Sequence, residues 1–463
     1  MNKIVLYIFI LLINVAFGQD KRLEKIDSVV SSWYTNNEFN GNILIAEKGN
    51  IIFNKSYGKA NEETGEMLNE NSQFELASMS KQFTATAIMI LKEKNLLSLD
   101  EPITKYFPEL VNYNKVTIKN LLNHSGGLQH FEEKYYEIKD KNLTINNEDV
   151  INFLKGTNPL FETNSQFEYC NTGYLLLGQI IEKVSGKKLN EFLSENIFEK
   201  LGMSRTKIVN GNIDFKMINN YAFGYVYDYK NDKWIQSDIH PDTEKYVRVY
   251  KILQRVNSTV IDLLKWRNSI DNYQILTKNS IEEMQTPNLL NNNMTTNYGY
   301  GLQIIVHEPT QKKIIQHGGD VPGYKLNLIK IPEDDITIII LTNRTYYEIL
   351  FPYNTILNTL YHKKLMITQI KNLQYINKDK LPFFEGEFCS KNDTVQLKVN
   401  GKHLMFIDNG SIPIELKLKE DNVLFNNISR TEVLLKNDKK GYIKSITILS
   451  NGQKRKLKRK LKE

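Results

Sequence analysis

The chain is expected to fold as α+β: an antiparallel sheet flanked by helices with a helical subdomain, followed by a small all-β C-terminal domain. Three observations lead there. Strand-like runs at 41–46 and 51–57, and again between 301 and 341, bracket a long helical stretch. Strands and helices segregated in this way fit α+β rather than an alternating α/β order. From 383 onward, short alternating runs are separated by turn residues, the pattern of a small barrel or sandwich. Finally, 463 residues with 41% apolar and 24% charged content suit a folded chain of two or three domains.

Residues 1–18 read as a signal peptide. Lys3 supplies the positive start, 4–15 is almost wholly apolar, and Ala16-Phe17-Gly18 offers small residues for cleavage near Gly18-Gln19. The run is shorter than the roughly 20 residues of a membrane span. An exported protein, periplasmic or secreted, is therefore expected. Residues 19–370 form the first domain. It opens with an amphipathic helix at 23–33 and a hairpin whose strands flank Glu47-Lys48-Gly49-Asn50. A helix starts near Ser78. Residues 116–184 are mostly helical, and short helices at 175–184 and 189–201 stop at Gly186 and Gly202. The stretch 210–250 shows no clear period and reads as loop with short strands. Helix is expected at 258–270, strands at 301–307, 312–317, 324–331 and 336–341, and helix again at 346–360. The polar stretch 371–382 reads as a linker, and 383–463 as the β-barrel-like domain with a basic tail.

Composition excludes several functions. The net charge is +7, but the final residues from Lys454 hold seven of the basic side chains against Glu463 alone. The body is nearly neutral, so no nucleic-acid partner is expected. Peripheral contact of the tail with a membrane or cell wall is one reading, and a charged final strand is the other. Cys170 and Cys389 fall in different domains, so no disulfide is expected. No histidine–cysteine spacing fits a metal site, and no cofactor or metal is expected.

The chemistry concentrates at Phe74-Glu75-Leu76-Ala77-Ser78-Met79-Ser80-Lys81. A serine hydroxyl needs a base to become a nucleophile. Lys81 at i+3 shares a helical face with Ser78, and a helix start favours developing negative charge. The same spacing occurs at Ser56/Lys59, Ser185/Lys188 and Ser204/Lys207, but only Ser78 opens an apolar helix. Two further elements suit a serine hydrolase. Tyr169-Cys170-Asn171 precedes a helix, and a tyrosine beside an ammonium can act as a base. His317-Gly318-Gly319-Asp320 ends a strand, where glycines allow close backbone approach to a ligand.

In order and separation these elements resemble the serine β-lactamase and penicillin-binding-protein superfamily, in its branch of class C β-lactamases, DD-carboxypeptidases and esterases. The stretches 39–46, 118–128, 258–266 and 298–302 add to the resemblance. It implies that Ser78 is acylated, Lys81 activates it, and Tyr169 is general base and then acid to the leaving group. Asn171 would hold the substrate amide or the Lys81 ammonium. His317, Gly318 and Gly319 would bind substrate on the sheet edge, and the N–H groups of Ser78 and Asp320 would form the oxyanion hole. The substrate would be a small molecule or peptide: a D-amino-acid peptide, ester or β-lactam, cell-wall-derived material included. The alternative is a non-catalytic peptidoglycan-peptide binder on the same scaffold. Two departures stand out. His317 replaces the family's usual lysine, which weakens recognition of a substrate carboxylate. Gln254-Arg255-Val256-Asn257 replaces a glycine pair, which predicts a bulkier, more basic wall.

Overall fold

A computed structural model describes residues 20–136, 145–209, 218–345, 352–363 and 373–460, apart from positions 242, 254, 392, 410–412, 427–428, 430, 440 and 451–452. The expected signal segment lies outside the described residues.

Helix α1 (Lys21–Thr35) leads into the hairpin β1 (Gly41–Glu47) and β2 (Asn50–Tyr57). The short β3 (Phe74–Glu75) runs into a 3₁₀ turn, Ala77–Ser80, continued by α2 (Lys81–Glu93). Helices α3 (Ile118–Leu122), α4 (Phe131–Tyr136), α5 (Asn147–Lys155), α6 (Asn171–Ser185) and α7 (Leu189–Leu193) build the helical subdomain. The chain returns through β4 (Lys207–Val209), β5 (Tyr225–Asp228), β6 (Lys233–Gln236), α8 (Glu244–Tyr250), β7 (Arg255–Ser258), α9 (Val260–Asp271) and α10 (Lys278–Met284). It completes the sheet with β8 (Gln303–His307), β9 (Lys312–Val321), β10 (Tyr324–Ile331) and β11 (Ile336–Thr342), followed by β12 (Arg344–Thr345) and α11 (Tyr353–Leu360).

The main sheet is antiparallel with order β2-β1-β11-β10-β9-β8. Its central strands are apolar on both faces because both faces are covered. Side-chain alternation sorts them. Ile43, Ile45, Ile329, Ile338 and Ile340 pack under α1 and α11 against Val30, Trp33 and Ile356. Leu44, Ala46, Leu326, Ile339 and Leu341 face the helical layer that contains α2. Nearly every residue of α2 from Lys81 to Leu91 is buried except Thr84, so it is a central helix rather than an amphipathic surface one.

Two expectations need correction. The stretch 210–250 contains the hairpin β5–β6, but Glu244–Tyr250 is a helix. There Val247 and Val249 are buried, and tertiary packing overrides the strand preference of valine. Residues 210–217 lie outside the described ones. The turn at Ser78 is 3₁₀, and the α-helix starts at Lys81.

The C-terminal domain is a closed eight-stranded barrel. Its strands are β13 (Gly386–Cys389), β14 (Thr394–Asn400), β15 (His403–Asp408), β16 (Ile414–Glu420), β17 (Val423–Phe425), β18 (Glu432–Asn437), β19 (Ile443–Ser450) and β20 (Gln453–Arg459). The basic run is thus a strand: Leu457 is buried, whereas Lys454, Lys456, Lys458 and Lys460 are exposed. β20 pairs with both β19 and β13. Ile376 and Leu381, from the stretch read as linker, are buried in the barrel core.

The barrel is tied to the β5–β6 hairpin. Asp232 pairs with Lys402 and lies 3.3 Å from His403 Nε2, while His403 Nδ1 is 2.5 Å from Glu415 Oε1. Gly401 has φ +62°, and a Cβ there would fall 2.4 Å from Tyr229 O. Glycine alone suits both demands.

Candidate active site

Ser78 is held where β3 turns into α2. Ala77 has φ +48°, a left-handed conformation that costs energy for a residue with a side chain. Met79 N–H closes the turn on Leu76 O at 3.0 Å. The turn is braced by β9. A Cβ on Gly319 would lie 2.3 Å from Leu76 O and 3.2 Å from the Ala77 Cβ. Glycine there lets the strand backbone approach the turn that carries Ser78.

Lys81, on the first turn of α2, is 6% exposed. Its Nζ lies 3.1 Å from Ser78 Oγ and 2.8 Å from Asn171 Oδ1. It also sits over the Tyr169 ring, 4.7 Å from the centroid, and 5.4 Å from that of Tyr174. Buried charge needs such partners, and the ring faces attract the ammonium. Lys81 therefore approaches the ring of Tyr169 rather than its hydroxyl. Tyr169 Oη is buried and has no hydrogen-bond partner.

Asn171 is the first residue of α6 and bridges two charges. Its Nδ2 donates to Glu132 Oε1 at 2.9 Å. Glu132, on α4, is 6% exposed, and its Oε2 is buried without a partner. Tyr169 is packed by His124, whose ring centroid is 4.3 Å away. His124 Nδ1 accepts the Cys170 N–H at 3.1 Å. Burial, with the Lys81 charge adding, holds the His124 pKa well below its ordinary value.

His317 is 2% exposed and lies on β9. Its Nε2 is 2.8 Å from Tyr298 Oη, and its Nδ1 is 2.7 Å from Gly318 O. Burial, reinforced by the nearby Lys81 charge, lowers its pKa to about 3. The imidazole is neutral near pH 7 and presents no fixed positive charge. β8 pairs with β9 only from Lys312 to Gln316. The segment from His317 to Val321 runs on past the end of β8 as an edge that lines the cavity with Ser78. Burial also raises the Asp320 carboxyl, opposed by Lys325.

All eight residues singled out in the sequence, Ser78, Lys81, Tyr169, Asn171, His317, Gly318, Gly319 and Asp320, line one cavity of about 820 Å³. Glu132, His124, Tyr174 and Tyr298 complete the cluster. His124 and Tyr298 fall in stretches that carry the resemblance, but sequence assigned them no role. Glu132 gave no signal, being one of two adjacent acids in a short helix. Of the stretch 254–257, Val256 lines the cavity. Gln254 lies outside the described residues. No cluster of metal-ligating side chains is present among the described residues.

The family model described as Beta-lactamase matches residues 38–361. Penicillin-binding protein 4* of Bacillus subtilis (strain 168) is 34% identical over 337 residues, covering 71% of this chain and 74% of that protein. Among solved structures, an octameric penicillin-binding protein homologue from Pyrococcus abyssi aligns with TM-score 0.63 at 24% identity, covering 94% of this chain and 99% of that one. A class C β-lactamase aligns with TM-score 0.60 at 19% identity, over 76% of this chain and 98% of that one.

Proposed function

We propose, from the premise that this chain belongs to the Beta-lactamase family, that it is an exported serine hydrolase acting through an acyl-enzyme on Ser78. The observation that carries the reading is the contact of Lys81 Nζ with Ser78 Oγ at 3.1 Å, inside a cavity that also holds Tyr169 Oη without a partner. Family membership supports a serine-hydrolase type of chemistry.

In this reading the Ser78 proton passes to Tyr169, with Lys81 stabilising the developing phenolate. Ser78 Oγ bonds to the substrate carbonyl carbon. The oxyanion is received by the backbone N–H groups of Ser78 and Asp320. Tyr169 returns the proton to the leaving group, and water then hydrolyses the ester. A neutral His317 offers little to a substrate carboxylate, so esters and amides that carry none are favoured over β-lactams and over peptides ending in a free D-amino acid. Asn171, engaged by Lys81 and Glu132, acts first to fix the lysine.

The test is labelling with a fluorophosphonate or penicillin probe, followed by turnover of nitrocefin, p-nitrophenyl esters and D-Ala-D-Ala peptides. Labelling and turnover should vanish in Ser78→Ala. Unchanged labelling of that variant would refute the assignment. Tight peptidoglycan-peptide binding without turnover would favour a non-catalytic binder. The exposed lysines of β20, Lys454, Lys456 and Lys458, with Lys460 just after it, are proposed as the contact with an anionic surface. Among the described residues no helix is long and apolar enough to cross a membrane.

A further inference from the structure

One wall of the active-site cavity is not explained by the chemistry of Ser78. Leu175 on α6, Leu189 and Leu193 on α7, Ile208 on β4, Leu253, and Val256 on β7 all line it. They come from separate elements and converge on the same space as Ser78. Gly178, two turns after Asn171 on α6, lines the cavity too. A Cβ there would reach only Leu189 Cδ2, at 3.4 Å, so its lack of a side chain leaves room in the wall. Leu253 remains half-buried. A peptidic or sugar-like group would leave its polar atoms unpaired against such a wall. A hydrocarbon chain would lose none and would gain by leaving water.

We infer that this wall is an acyl-chain subsite, and that the substrate is an ester or amide of a medium-length aliphatic carboxylic acid. This rests on the acyl-enzyme reading above and names its substrate class. We assign the chain to the acyl part, which leaves the departing group to take its proton from Tyr169. Ser78 Oγ bonds to the acyl carbon as the bond from that carbon to the leaving oxygen or nitrogen breaks. The Ser78 proton finishes on the leaving group. Water then cleaves the acyl-enzyme, releasing the fatty acid and restoring the Ser78 hydroxyl. The cavity, about 820 Å³, is of the size that encloses whole small ligands. The neutral His317 agrees, since an aliphatic acyl group brings no carboxylate to be read.

The experiment is a p-nitrophenyl ester series from acetyl to dodecanoyl on the full chain, with Ser78→Ala as background. The expected result is a rise in kcat/KM of about threefold per methylene up to about eight carbons. Leu253→Asp and Gly178→Met should each lower the octanoyl-to-acetyl ratio about tenfold, by charging or filling the wall. Ser78-dependent turnover that is flat or falls with chain length would overturn the subsite and leave the acyl-enzyme reading standing. No Ser78-dependent turnover of any ester, together with no probe labelling of Ser78, would overturn both. The wild-type series decides the matter even if one variant fails to fold.

Discussion

Glu132 Oε1 accepts a 2.9 Å hydrogen bond from Asn171 Nδ2 and thereby fixes which end of that amide faces Lys81. A carboxylate cannot donate when ionised, so the Asn171 nitrogen turns toward it and the oxygen turns toward the ammonium. Glu132 is therefore expected to be a positioning residue that acts through Asn171. Glu132→Ala should slow Ser78 acylation about tenfold or more, because small misplacements at a reacting group are costly. Glu132→Gln, which still offers an oxygen, should recover most of the rate. Stopped-flow labelling of both variants checks this, and an Ala variant as fast as wild type would remove Glu132 from the scheme.

Lys81→Met and Tyr169→Phe should each reduce acylation by about 10²- to 10⁴-fold, the usual range for a proton-transfer group. The double variant should be little worse than the slower single one, because residues that act as a unit are not additive. Single-turnover rates with a p-nitrophenyl ester give the comparison. Multiplying effects would show that the two act separately.

Acid should destabilise the fold through His317. Its pKa falls from 6.5 in the unfolded reference to about 3 when folded. The unfolded chain therefore binds more protons between those values, and stability rises with pH across that window. The contribution is complete above about 6.5 and is lost as pH drops toward about 3. His124, also depressed by burial, acts in the same direction. Melting temperatures measured from pH 7 down to 4 should fall, and His317→Gln should flatten the slope. The same shift predicts no step from His317 in kcat/KM between pH 5 and pH 8.

Gly319→Ala should damage site and stability together. Its Cβ would stand 2.3 Å from Leu76 O, so strand and nucleophile turn must separate. Overpacking of this kind costs about 1–3 kcal/mol, read by denaturant midpoint. Labelling of Ser78 should fall further than folding alone explains, because the same movement shifts the main chain of Asp320 away from Ser78. Gly318→Ala is the milder comparison, since its Cβ would meet only Leu326 O at 3.3 Å.

Much of this architecture was legible because it rests on local patterns. The strands of the main sheet carry continuous apolar runs, and the barrel strands alternate around turns such as Asn400-Gly401. Helix α2 announced itself through the apolar run after Lys81. What escaped depends on distant packing. α8 is held as a helix although Val247 and Val249 favour strand. Glu132 matters only because α4 and the start of α6 meet. His317 is neutral because it is buried, with the Lys81 charge adding, which no spacing reveals. The wall change at Val256 was visible as a departure, but its direction into an apolar surface required the fold.

The closure of the barrel gives its last strand a role beyond charge. Cys389 registers with Lys458 and Phe388 with Arg459, so β20 is the keystone of a ring rather than a tail hung from it. Removing it would leave β13 and β19 each with an unsatisfied edge, and such edges recruit strands from other molecules. A shortened chain should therefore be read first for self-association on a sizing column. Only a variant that keeps the strand and recolours its outward lysines can isolate what their charge does.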